Sequence, residues 1–164
     1  MSRRHLFLLI VGVLCVFSAL PVVSRAQTEK VTEPAWATIN SCGPNAVGVR
    51  AQLRDEFTRA DLFARFNLEW YSSLEGQWLP VEGQASSPWL KAGSTRDLFG
   101  QIGWTFDVEP APPGTSFKLR GVAQLQWRRG GVVVRDETRV TSGGLAGVDE
   151  GSPPGTSLAD CSLG

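Results

Sequence analysis

The chain has 164 residues, with 16 basic and 16 acidic side chains, one histidine and three cysteines. Residues 1–26 have the build of an export signal; without them 13 basic side chains face 16 acidic ones, a net charge of −3, and no histidine or methionine remains. That balance argues against nucleic acid as a partner, and the missing histidine removes Ser–His–Asp, Cys–His and most transition-metal chemistry.

The export reading rests on three parts in order: a basic start over Met1–His5, an apolar run from Leu6 to Val23, and small residues at Ser24 and Ala26. Cleavage after Ala26 fits this pattern. The opening SRRHLFL also resembles a twin-arginine signal, and an uncleaved run of 18 apolar residues would serve as an anchor. Pro21 and the small-residue site favour cleavage. No second apolar run follows, so residues 27–164 are expected to form one domain without membrane insertion, secreted or held at the cell surface.

Outside the cytoplasm two cysteines in one domain are expected to be joined, and Cys42 and Cys161 are the two that remain. Neither stands in a CxxC spacing or near a histidine, which argues against redox or metal roles.

The dominant period along the chain is two. Strands are predicted at 36–40, 47–53, 62–71, 77–81, 102–106, 117–127 and 132–140. In the longest of them Phe117, Leu119, Gly121, Ala123, Leu125 and Trp127 share one face, opposite Lys118, Arg120, Gln124 and Gln126. Gly43-Pro44-Asn45, residues 72–76 and the proline-rich stretch 109–114 are turn signals, and Gly130-Gly131 closes a hairpin. A single helical turn is suggested around 54–59, and residues 142–155 suit a surface loop. Seven or eight short strands without long helices predict an all-β fold, two antiparallel sheets packed face to face. Trp70, Trp104 and Trp127 fall in register with the apolar faces of their strands and are expected in the core, whereas Trp89 has no predicted place.

The segments SCGPNAVGVR (41–50), GWTFDVEPAPPGTSFKLRGVAQLQWRRGGVVVRDETRVTSGG (103–144) and ADC (159–161) resemble a group of exported bacterial immunoglobulin-like proteins. The resemblance runs from Trp36 to Cys161 and implies an immunoglobulin-like sandwich closed by a long strand, a glycine hairpin and a final strand. It implies little about function. Phe117 stands where many such domains carry a tyrosine, so the tyrosine-corner hydrogen bond has no donor here.

No phosphate-binding loop, nucleophile elbow or other catalytic or cofactor motif is present, and no cofactor is expected. Glycoside hydrolysis needs only two carboxylates, for which Glu69, Glu75, Glu82, Asp107 and Glu109 are candidates; solvated surface charges are the simpler reading. Asp149-Glu150 alone is too few oxygens for calcium. Arg128 and Arg129, near Arg135 and Arg139, suggest an anion grip, but Asp136 and Glu137 lie among them and make the surface mixed. If Leu68 and Trp70 face inward, Tyr71 faces out, and Trp78 does so across the following turn. The pair is a candidate ligand-binding platform, or a cross-strand contact that steadies its hairpin. The expected protein is a secreted, non-catalytic binding or structural module with a protein or glycan partner at the cell surface; a carbohydrate-binding domain and a small carboxylate-dependent hydrolase are the alternatives.

Overall fold

The computed structural model describes residues 35–55, 59–83, 86–145, 148 and 156–164. The expected export signal, the centre of the suggested helical turn, Asp149-Glu150 and the middle of the 142–155 loop lie outside the described residues.

Among the described residues there are nine strands: β1 Ala35–Gly43, β2 Ala46–Arg54, β3 Asp61–Ser72, β4 Gln77–Pro80, β5 Leu90–Gly93, β6 Phe99–Asp107, β7 Phe117–Arg129, β8 Val132–Val140 and β9 Cys161–Leu163. All pairings are antiparallel. One sheet has the order β1-β2-β6; the other runs β4-β3-β7-β8, with β5 also on β3 and β9 also on β7. The seven strands read from periodicity are all present. The two further strands, β5 and β9, are four and three residues long, too short to show a period.

Alternation decides which residues meet between the sheets. Val47, Val49 and Leu53 of β2 face Leu62, Phe66 and Leu68 of β3 and Ala123, Leu125 and Trp127 of β7, all of them buried. The Trp127 indole donates to the Arg54 carbonyl at 2.9 Å, which satisfies its one polar atom inside the core. Gly121 is a point of close approach between the sheets: a Cβ there would lie 2.7 Å from Val49 Cγ1 and 2.8 Å from Thr141 Cγ2. Gly121→Ala is therefore expected to destabilise by about 1–3 kcal/mol through overpacking, read from the midpoint of urea unfolding.

Trp104 departs from its expected core position. It pairs with Val49 on the inward face of β6, but β6 is an edge strand that among the described residues is paired with β2 alone, and Trp104 remains 37% exposed. Sharing a face with core residues does not bury a side chain that has no strand beyond it. Trp127 is fully buried, and Trp70 is half-buried at one end of the sandwich.

The β7–β8 hairpin turns on Gly130 and Gly131, whose φ values of 56° and 84° match a two-residue turn with left-handed backbone at both positions. After β8 the chain runs along β1, where Ser142 N donates to Ala37 O at 2.9 Å and Leu158 forms a bridge with Ile39. The C-terminal segment then crosses to the other sheet as β9, and Cys161 is joined to Cys42 of β1. The expected disulfide thus ties β1 to the strand that closes the opposite sheet.

Candidate functional site

Tyr71 and Trp78 are directly opposite in the β3–β4 ladder, as their outward parity requires. Their ring centroids are 5.4 Å apart with planes at 61°, an edge-to-face contact. The Arg120 guanidinium lies 4.4 Å from the centroid of the Trp78 ring and is held by Glu69, with Nε donating to Oε2 at 2.7 Å. The two rings therefore offer no coplanar surface, and Arg120 is stacked on Trp78. A second cluster of the same kind lies farther along the sheet, where Arg128 stacks on Phe63 at 4.3 Å and on Trp89 at 4.8 Å. Trp89, silent in the sequence, is thereby placed against the outer face.

The five candidate carboxylates divide. Glu69 is taken up by Arg120, and Glu75 accepts from Gln77 Nε2 at 2.6 Å. Glu82, Asp107 and Glu109 all line one groove of about 470 Å³ at the end of the sandwich where β3 finishes and β7 begins. Its walls are apolar, among them Trp70, Val81, Phe106, Phe117, Leu119 and Leu163. A neighbouring hollow shares Trp70, Val81 and Glu82 and continues the surface past Leu79 and Pro80.

The three groove acids are exposed, and among the described residues none of them has an ion-pair or hydrogen-bond partner for its carboxylate. The bases on the adjoining stretch of β7 are already engaged: Lys118 with Asp160 at 3.1 Å and Arg120 with Glu69. Among the described residues no three acids stand close enough to hold a metal ion, so the rim presents separate charges. The sequence named the acids but not the walls. Phe117 and Leu163 become lining residues only because β9 pairs with the start of β7.

The arginines of β8 form no anion grip. Arg135, Glu137 and Arg139 project to the inner side of that strand, where Glu137 pairs with both arginines and Arg135 also stacks 4.5 Å from Trp127. Arg139 Nε donates to the Ala35 carbonyl at 3.1 Å, linking β8 to β1 across the side of the sandwich. The expected mixed-charge surface is in these three residues a closed network between the sheets.

No family profile matches the chain, and no curated protein is significantly similar to it. A solved structure described as "putative beta-galactosidase from bacteroides fragilis" is similar at 11% identity with a TM-score of 0.34, over 66% of this chain and 16% of that one. The chain thus spans about one sixth of that protein's length, and a likeness this slight bears on neither fold family nor activity.

Proposed function

We propose that the chain is exported, with its signal removed after Ala26, and serves outside the cytoplasm as a non-catalytic binding module of immunoglobulin-like architecture. The Cys42–Cys161 disulfide suits an oxidising compartment. The pairing of a β1-β2-β6 sheet with a β4-β3-β7-β8 sheet supports the immunoglobulin-like reading. The observation that carries the binding reading is the groove itself, apolar within and lined also by Glu82, Asp107 and Glu109, whose carboxylates have no ion-pair partner among the described residues. Its partner is a protein segment that presents an apolar anchor beside a basic residue. Burial of the anchor supplies affinity, and the rim charges supply orientation and encounter rate.

Cross-linking of the exported chain in its native envelope tests this. Reversing charge with Glu82→Lys and Asp107→Lys is expected to reduce capture about tenfold or more, while Tyr71→Ala with Trp78→Ala leaves capture unchanged. The opposite pattern would move the site to the aromatic pair and favour a sugar-binding role.

A second reading has one observation in its favour. Three of the five candidate acids gather on one rim, which is the raw material of carboxylate-dependent glycoside hydrolysis. Turnover of a glycan that is abolished by Glu82→Gln, Asp107→Asn or Glu109→Gln would establish it over the binding reading.

A further inference from the structure

The outer face of the six-stranded sheet carries a polar hollow that shares no residue with the groove. Gln124 and Gln126 of β7 stand directly opposite Thr138 and Asp136 of β8. All four point away from the core, because Leu125 and Trp127 alternate with them and are buried in it. With Trp89 they line a hollow of about 180 Å³. Among the described residues the side chains of Gln124, Asp136 and Thr138 have no ion-pair or hydrogen-bond partner. Gln126 is engaged at one end only: its Oε1 accepts from Arg128 Nε at 2.9 Å and from Nη2 at 2.6 Å, which leaves its amide N–H groups as the free end. The same guanidinium stacks 4.8 Å from the centre of the Trp89 ring, so one arginine fixes both a donor and the aromatic wall. On the adjoining strand Arg65, opposite Gln124, has no ion pair among the described residues, and its Nε is buried without a hydrogen-bond partner.

We propose that this hollow binds one neutral sugar unit of a glycan. The polar groups call for a ligand that donates and accepts at neighbouring atoms: Asp136 only accepts, Arg65 and the free end of Gln126 only donate, and Gln124 and Thr138 do both. Adjacent hydroxyls on a sugar ring satisfy all of them. A phosphate or carboxylate would accept only and would meet the Asp136 charge, and an apolar anchor would strip water from these groups and return no bond. The Trp89 indole gives the C–H groups of the sugar ring a wall to pack on. The volume lies well below the about 300–1,000 Å³ of pockets for drug-sized ligands, which suits a single unit. With Trp89 and Gln126 already held by Arg128, little side-chain freedom is lost on binding.

Titration of the isotope-labelled exported chain with the methyl glycosides of glucose, galactose, mannose and N-acetylglucosamine, and with glucuronate, tests the proposal by nuclear magnetic resonance. At least one neutral glycoside is expected to shift the Trp89 indole N–H and the Gln124 and Gln126 side-chain amides, while the Trp127 indole in the core stays unmoved. Its affinity should change less than about twofold from low to high salt, since the ligand carries no charge. Asp136→Asn, at an exposed position and of the same shape, is expected to weaken binding about tenfold by removing a charged acceptor. Trp89→Ala is expected to weaken it about tenfold or more, with the unchanged Trp127 indole signal as the check that the variant folds. No shift with any of the neutral glycosides would overturn the proposal. So would binding that survives both substitutions, shifts confined to Tyr71 and Trp78, or a preference for glucuronate that fades with salt. None of these outcomes touches the groove reading, whose own test is envelope capture through Glu82 and Asp107.

Discussion

Replacing Cys42 and Cys161 together with alanine is expected to lower the unfolding free energy by about 2–5 kcal/mol, a large part of the roughly 5–15 kcal/mol that holds a typical domain folded. The bridge spans a sequence separation of 119 residues, for which chain entropy gives an upper figure of about 5 kcal/mol. Its local effect is as important. β9 has only three residues and pairs with β7 over Phe117–Leu119 alone, so the covalent tie to β1 is its main anchor. The midpoint of urea unfolding measures the global loss, and faster amide exchange at Cys161–Leu163 and at Leu158 measures the local one. Thiol labelling checks the premise: without reductant, the unfolded native protein should take up no label at either cysteine. Labelling of both in material exported by the native host would remove the bridge from the account.

The largest single-residue loss is expected at Trp127. It is fully buried, donates a hydrogen bond to Arg54 O and lies beneath the Arg135 guanidinium. Trp127→Ala would open a cavity between the sheets, leave that carbonyl without its indole donor and remove the surface that carries Arg135. A cost of about 3–5 kcal/mol follows for a buried aromatic, seen as a lower urea midpoint and a reduced near-ultraviolet circular dichroism signal. Trp104→Ala is the internal comparison. Trp104 is partly exposed on an edge strand, and its loss is expected to cost under about 2 kcal/mol. Equal costs at the two positions would mean that β6 is covered on the side where the structure leaves it open.

Elements with a local signal were legible along the chain. Side chains alternate in and out along any extended strand, so the period of two in Phe117–Trp127 located β7 and its buried face without knowledge of any neighbour. Gly130-Gly131 marked the hairpin because few other residues accept two successive left-handed conformations. Cys42 and Cys161 were legible as a bridge because reading residues 1–26 as an export signal sets Cys15 aside and leaves those two thiols. The same parity placed Tyr71 and Trp78 outward and opposite, but not their edge-to-face tilt or the arginine on Trp78, since Arg120 comes from a strand 42 residues beyond Trp78. Which strand became an edge followed from the sheet order, and that left Trp104 partly bare. It also gathered Glu82, Asp107 and Glu109 with Phe117 and Leu163 around one groove, while Glu69, on the same acid roster, was spent on Arg120. Periodicity reports the direction of a side chain relative to its own strand; what that side chain meets depends on which distant segment the sheet order brings beside it.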